Sequence, residues 1–480
     1  MRRNIRNSST VILSDDLAPC SRSRERERVF DRDDDPRHVS EPIEKEVVEL
    51  GAIRRTLSSK FVLLNIGDLL GKACLFFAYV RLAQSLGAAG FGRFAFAQNA
   101  ILLIAFGNDL GIEWRGTDWV AKVRDHTTAG DHISHHINHV FAVRLLLALL
   151  GVLVLAAVSF AVPTLRADPS MVLALAFSIV IAAVVTDWVY VGIGDIRTLV
   201  LSRLLRFGTY LVMVEFLVSN PTDGWLAAIS YSVAFAIGAG FELVVLRRRK
   251  AWIPQLEWQG NTLGRAITAS LPFFLYALMS QIYFIFGTIL VHAMDGERST
   301  GLFSAAYRVV AAIVAFTSYL ISASYPHISD AARIGPMRLR AMWRMLLARL
   351  LLLSVTPSLA VCLVARPLVL RLFGLEYLGA VTVLQILSAS VPFVMVALLA
   401  GAFLNALGLE RRGMMIIVQS IVVMLGIALP LRHYFGVQGI ALSILTASMY
   451  SAVVGGVRVV LVYRAAMQHD QIGALQRSAS

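Results

Sequence analysis

The sequence predicts an all-α polytopic membrane protein with about 12 transmembrane helices in two six-helix lobes. Three observations predict it. Of 480 residues, 57% are hydrophobic, only 16% are charged, and the mean hydropathy is +0.69, whereas soluble domains carry roughly a quarter of charged residues. Apolar runs of spanning length, about 20 residues each, recur along the chain. A glycine-bounded stretch beginning at residue 87 also returns at residue 296.

The first 58 residues differ in kind. "SRSRERERVFDRDDDPRHVS" alternates charges of both signs and lacks an apolar core of signal-peptide length, so 1–58 reads as a disordered charged cytoplasmic tail, with partner docking as the alternative. Spans 1 and 2 follow near 61–85 and 91–113, separated by the turn "GAAGFG". The loop "DHTTAGDHISHHINHV" leads into span 3, near 138–162; its His132, His135, His136 and His139 lie at helical spacing. An interfacial helix is the plainer account of these histidines, and metal binding the alternative, because no zinc-site spacing accompanies them. Span 4, near 170–194, ends in "TDWVYVGIGDIR", span 5 lies near 198–218, and "SNPTDG" precedes span 6, near 224–246.

Span 7, near 266–293, is joined to span 8, near 300–325, through "DGERST". Span 9 lies near 343–365, and "RPLVLRLFG" at 366–374 is too short to cross and reads as interfacial. Spans 10, 11 and 12 lie near 379–407, 413–435 and 438–463. The expected organisation is therefore a tail, an N-terminal six-helix lobe over 59–250, a C-terminal six-helix lobe over 251–466, and a short cytoplasmic tail over 467–480.

Charge in the loops sets orientation. On one side lie Arg115, Lys122 and Arg124, Arg197, "RRRK" at 247–250, Arg333, Arg338 and Arg340, and Arg411 and Arg412. The opposite loops carry mostly single basic residues, Arg93, Arg166, Arg298 and Arg432, with Arg366 and Arg371 in the longest. The excess of positive charge inside puts both termini in the cytoplasm. The net charge of +13 thus belongs to loops that orient the spans, and nucleic acid is not an expected partner. Cys20, Cys74 and Cys362 are too few and too scattered for a disulfide framework or metal site. No Gly-rich phosphate loop is present, so ATP is not the direct energy source, and no cofactor is expected.

The repeat pairs "GAAGFGRFAFAQNAILLI" (87–104) with "GERSTGLFSAAYRVVAAI" (296–313) at an offset of 209 residues, matching Gly87 to Gly296, Gly92 to Gly301, Phe94 to Phe303 and Ala97 to Ala306. Carried back, it pairs span 1 with span 7. Two halves of six spans share one orientation and are related by an axis along the membrane normal, a transporter plan that holds substrate between the halves. Chance likeness of two apolar helices is the competing account.

Charges inside the spans mark the candidate site. Each costs about 2.5–3.5 kcal/mol at mid-depth, so a compensating role is expected. At 100° per residue, Asn65, Asp68, Lys72 and Tyr79 share an arc of about 60° on span 1. Gly67 and Gly71 flank that stripe and permit close approach of another helix. Ser304, Arg308, Ala315, Tyr319 and Ser322 form a like stripe on span 8. By the repeat, Arg308 corresponds to Asn99 and Lys72 to Gln281. These residues predict a cationic central cavity lined by Lys72, Arg308, Asn99, Gln281 and Tyr319.

Two alternatives stand beside that expectation. Arg308, near its span end, can snorkel to the interface. Asp68, one turn before Lys72, can neutralise it in a structural pair. Arg203 and Arg206 read as cytoplasmic snorkellers, with a ligand role as the alternative. Asp68, Asp109 and Glu113 are candidate ion-coupling carboxylates, with salt bridges as the competing use. Asp187, Glu215 and Glu242 offer weaker versions of the same choice.

The motifs together resemble a known family, the polysaccharide flippases of the multidrug/oligosaccharidyl-lipid/polysaccharide exporter superfamily. "LGAAGFGRFAFAQNAILLIAFGNDLGIEWRG" resembles its first-half signature, "TDWVYVGIGDIR" its span 4 ending, "TGLFSAAYRVVAAI" its span 8 with an arginine after a tyrosine, and "LFGLEYLGA" its turn before span 10. The resemblance covers about residues 55–465 and excludes the charged N-terminal tail.

The resemblance implies a two-lobed, V-shaped bundle that moves lipid-linked saccharides across the bacterial inner membrane. It also implies a cationic cavity for a lipid diphosphate, with Lys72 and Arg308 as the matching groups. Membrane lipid, and glycan polymerases or glycosyltransferases, are the partners it brings. An antiporter of drugs or small cations, of the same superfamily, is the first rival, but it would favour acidic cavity residues. A membrane glycan polymerase or ligase is the second; it needs a sizeable catalytic loop, and "SNPTDG" and "DGERST" are short. The chain is therefore expected to be a transporter and not an enzyme.

Overall fold

The computed structural model describes the backbone of residues 40–107, 111–123, 129–248 and 260–478. Residues 1–58 and 59–480 form separate units. Most of the expected tail, residues 1–39, lies outside the described residues, and 40–58 are helical. The spans all belong to the second unit, and every regular element among its described residues is a helix.

In chain order these are α1 (Ser40–Gly107), α2 (Ile112–Val123), α3 (Ala129–Ala161), α4 (Pro163–Ala167), α5 (Pro169–Val184), α6 (Asp187–Ile193) and α7 (Ile196–Leu217). There follow α8 (Gly224–Arg248), α9 (Gly260–Ile334), α10 (Pro336–Leu372), a 3-10 turn (Leu375–Tyr377), α11 (Ala380–Ala406), α12 (Glu410–Phe435) and α13 (Val437–Ser478).

Nine described stretches are long and apolar enough to cross a membrane. Two of them, Val62–Gly107 and Ile285–Ile334, are about twice the needed length. Each bends at a glycine with non-helical backbone, Gly87 (φ 67°, ψ 176°) and Gly296 (φ 77°, ψ −172°), so each is two crossings. The 22-residue α7 is a further crossing; Arg197, Arg203, Arg206 and Glu215 make it too charged to stand out by hydropathy. The expected twelve crossings are thereby accounted for. "RPLVLRLFG" is not a separate interfacial segment: α10 runs unbroken through Pro367 to Leu372, since a helix longer than the bilayer continues past it.

The repeat is visible in the backbone. Gly87 and Gly296, 209 residues apart, adopt nearly the same conformation, one that side-chain-bearing residues avoid. Just beyond them the two halves cross. A Cβ on Gly92 would lie 1.9 Å from the carbonyl oxygen of Glu297, and a Cβ on Gly301 would lie 1.9 Å from that of Ala88. The partners of the first contact are the repeat equivalents of the partners of the second. Phe94, Phe303, Ala97 and Ala306 are all buried around this crossing. Nearby, the Ala88 N–H donates to Glu376 Oε1 (3.0 Å), Tyr377 OH to Ala83 O (2.9 Å), and Gln84 Nε2 to Leu372 O (2.8 Å).

The short connection "SNPTDG" caps itself. Backbone N–H groups of Asn220 (2.8 Å) and Ser219 (3.0 Å) donate to Asp223, which holds its carboxyl below the usual carboxylate range. The segment between spans 2 and 3, expected as a loop, contains α2. Its Val120 packs with Trp188, Tyr190 and Leu199, and Gly116 and Gly192 allow α2 and α6 to touch. Apolar burial of one helix face is enough to order it.

Candidate functional site

Gly67 and Gly71 set the local geometry. A Cβ on Gly67 would meet Val200 at 2.3 Å, and one on Gly71 would meet Phe207 at 2.9 Å, so span 1 and α7 touch backbone to side chain. That approach places Arg203, between Val200 and Phe207 on α7, beside Asp68. Arg203 Nη1 lies 3.2 Å from Asp68 Oδ1. The other carboxylate oxygen, Oδ2, takes Lys72 Nζ at 2.8 Å and the Tyr319 hydroxyl at 2.6 Å. Lys72 also faces the Tyr319 ring, 5.3 Å from its centroid. One carboxylate therefore joins span 1, span 8 and α7.

Beside it lies a cavity of about 330 Å³ between spans 1 and 8. Lys72 and Arg308 line it, with an otherwise apolar wall that includes Leu69, Phe76, Phe77 and Ala312. Arg308 does not snorkel: its guanidinium lies over the Tyr79 ring, 3.7 Å from the centroid, and donates to Gln98 Oε1 at 3.0 Å. Tyr79 OH donates to the same oxygen at 3.0 Å. Gln98, which holds the arginine, is the sequence neighbour of Asn99, the repeat equivalent of Arg308. Asn99 and Gln281 are half-buried and do not line the cavity, and Tyr319 borders it only through Asp68 and Lys72.

Behind the cavity an alternating series of charges runs into the N-terminal half. Arg203 Nε contacts Asp187 Oδ2 (3.1 Å), and Arg206 Nη2 contacts both Asp187 Oδ1 (3.1 Å) and Glu242 Oε1 (3.0 Å). Glu242 is fully buried and also accepts from Ser202 Oγ, Thr186 N (2.7 Å) and Thr186 Oγ1 (3.1 Å). Four partners thus converge on this one buried carboxyl. Gly238 leaves the space that Arg206 occupies, since a Cβ there would lie 2.9 Å from Nε. Arg203 and Arg206 are therefore inward-facing network members; paired carboxylates within reach hold them in place of the interface.

This network supports a break in span 4. Helix α5 ends at Val184 and α6 begins at Asp187, which frees backbone groups at membrane depth that must find partners within the protein. Arg144 donates to Val185 O and Ala182 O, each at 2.8 Å, and Glu242 takes the Thr186 N–H. Arg144 also holds Glu113 at 2.6 Å, which places that carboxylate in a structural pair. Asp109, and the side chains of His132, His135 and His136, lie outside the described residues. Among the described residues no His, Cys, Asp and Glu group has metal-site geometry.

Sequence reasoning missed Arg144 and Gln98 and undervalued Arg203, Arg206, Asp187 and Glu242. A count of intramembrane charges of opposite sign over spans 3 to 6 was the available signal, because such charges must pair.

A cavity between two repeated halves of a helical membrane bundle defines the class: a membrane transport protein. Structures of that class match it. One is described as the inward-facing conformation of a multidrug resistance MATE family transporter of the MOP superfamily, with a TM-score of 0.67 and 17% identity, covering 83% of this chain and 96% of that one. Another is described as "Reverse polarity of binding pocket suggests different function of a MOP superfamily transporter from Pyrococcus furiosus Vc1 (DSM3638)", with a TM-score of 0.57 and 16% identity, covering 85% and 96%. At these identities the likeness shows the fold. The chain belongs to the polysaccharide biosynthesis protein family, whose model matches residues 58–332. A relative from Escherichia coli (strain K12), named "Putative O-antigen transporter", is 23% identical over 312 residues, 65% of this chain and 74% of the relative.

Proposed function

We propose that this chain moves a polyprenyl-diphosphate-linked oligosaccharide, or a related polysaccharide precursor, across the bacterial inner membrane by alternating access. Both termini are cytoplasmic in this reading, and residues 59–250 and 251–466 are the two lobes that rock. The observation that carries it is the cavity between spans 1 and 8, where one ammonium and one guanidinium stand on an apolar wall. A diphosphate pairs well with both groups in a low-dielectric cavity, guanidinium in bidentate fashion and ammonium as a point charge. Apolar surface beside them suits a prenyl chain. Family membership and the named relative support a polysaccharide precursor as cargo.

Lys72 and Arg308 hold the head group, and Asp68 holds Lys72 when the site is empty. Of the described carboxylates considered for ion coupling, Asp68 lies beside the cavity and Glu113 is held by Arg144. The drive comes from an ion gradient, the membrane potential acting on these charges, or removal of product. Polymerases or glycosyltransferases that make or use the glycan are the expected partners.

Deleting the gene should trap lipid-linked saccharide on the cytoplasmic leaflet. Lys72→Ala and Arg308→Ala should each fail to restore export while giving wild-type amounts of folded protein. Full export by both variants sinks the cationic-cavity reading. Unpolymerised units on the outer leaflet would identify an enzyme instead.

A further inference from the structure

Asp68 sits between two cations, and only one of them faces the cavity. Its Oδ2 serves Lys72 and Tyr319, and its Oδ1 serves Arg203. Arg203 does not line the cavity; its Nε is anchored on Asp187, which Arg206 shares. The series Lys72, Asp68, Arg203, Asp187, Arg206 alternates in sign, with each interior member touching both neighbours, and it ends on the buried carboxyl of Glu242.

A lysine paired with a carboxylate that has no other cation is electrostatically spent, because its field on a third group is largely cancelled at these separations. A carboxylate divided between two cations cancels neither. An ammonium has three donors, and here Asp68 and Tyr319 engage two.

We propose that Arg203 is a positioning residue for substrate: it draws the charge of Asp68 into the lobe so that Lys72 keeps a positive charge to offer the anionic head group. The assignment rests on the head-group reading of Lys72. It gives the buried N-terminal network a role in recognition, because Asp187 and Arg206 fix the orientation of Arg203. Binding of an anion at Lys72 then shifts Asp68 further toward Arg203 and loosens the Tyr319 tie, the hydrogen bond that links span 1 to span 8 at this level.

The test is binding of a polyprenyl diphosphate to full-length protein in detergent micelles, with the neutral polyprenyl alcohol as control. Arg203→Gln should weaken diphosphate binding about tenfold, with alcohol binding unchanged, because Asp68 then neutralises Lys72. Arg203→Lys, which keeps the charge, should retain most of the binding. Adding Asp68→Asn to Arg203→Gln should restore affinity, a rescue that a purely structural role for Arg203 does not produce. Asp68→Asn alone should bind at least as tightly as wild type, and this holds as a test even if Arg203→Gln fails to fold.

Wild-type affinity in Arg203→Gln, absence of rescue in the double variant, or weaker binding in Asp68→Asn alone overturns the proposal while Lys72→Ala still weakens binding. Wild-type affinity in Lys72→Ala overturns the head-group reading, and this proposal with it.

Discussion

At Gly87 and Gly296 the two halves bend alike, with φ of 67° and 77°, yet at Glu242 and Ser451, also 209 residues apart, they are built from different chemistry. Glu242 is a buried carboxyl that holds Arg206, Ser202 and the broken backbone at Thr186. Ser451 shares a hydroxyl contact with Ser420. Elsewhere the C-terminal half packs Trp343 edge-on against Phe403, with centroids 5.1 Å apart, and Thr317 against Met395. Its described ion pair, Arg432 with Asp295 at 3.2 Å, lies beside Gly296 and away from that core. The repeat thus preserves backbone path and close approach, whereas charge is concentrated in one half. Buried ion pairs stabilise weakly for their desolvation cost, so their retention in a membrane core fits a role in handling charge.

The largest effects are expected where the halves are alike. Gly92→Ala and Gly301→Ala each drive a Cβ into backbone at 1.9 Å, and each should cost more than about 4 kcal/mol, read as loss of monodisperse protein on size-exclusion chromatography. Tolerance of one but not the other breaks the equivalence of the two sides of the crossing.

Next come the sites where the halves differ. Glu242→Ala leaves Arg206 short of a partner and should cost about 3–5 kcal/mol in thermal unfolding, while Ser451→Ala should cost about 1 kcal/mol. Equal losses would mean that the charged core has no special place in the structure.

The smallest contrast separates the two bends. Gly87→Ala and Gly296→Ala both strain a positive φ, by about 1–3 kcal/mol. Only at Gly87 does the new Cβ also come within 3.1 Å of Glu376, which caps the Ala88 N–H. Gly87→Ala should therefore be the less stable of the pair, and the difference should disappear in a Glu376→Ala background.

Much of this was legible in the chain. Apolar runs located the crossings, because length and hydropathy alone decide what can span. The polar stripe of span 1 named Lys72 and Asp68, and Gly67 with Gly71 announced a close helix without saying which one. Arg203 and Arg206 were misread because a residue near a span end can reach water or turn inward, and only the neighbours decide. The repeat aligns backbones and so names Asn99 as the equivalent of Arg308, but it does not say that the neighbouring Gln98 is the side chain that reaches Arg308. The break at 185–186 carries no glycine or proline of its own, and its local mark is only the threonine and aspartate that start α6.

The sequence by itself determined the membrane environment, the twofold repeat and the two glycine bends, since these follow from composition, periodicity and the φ that only glycine tolerates at little cost. Tertiary structure alone decided which charges meet. Asp68 finds Tyr319 across 251 residues and Arg203 across 135, and such pairings arise only when packed helices bring distant side chains within hydrogen-bonding range.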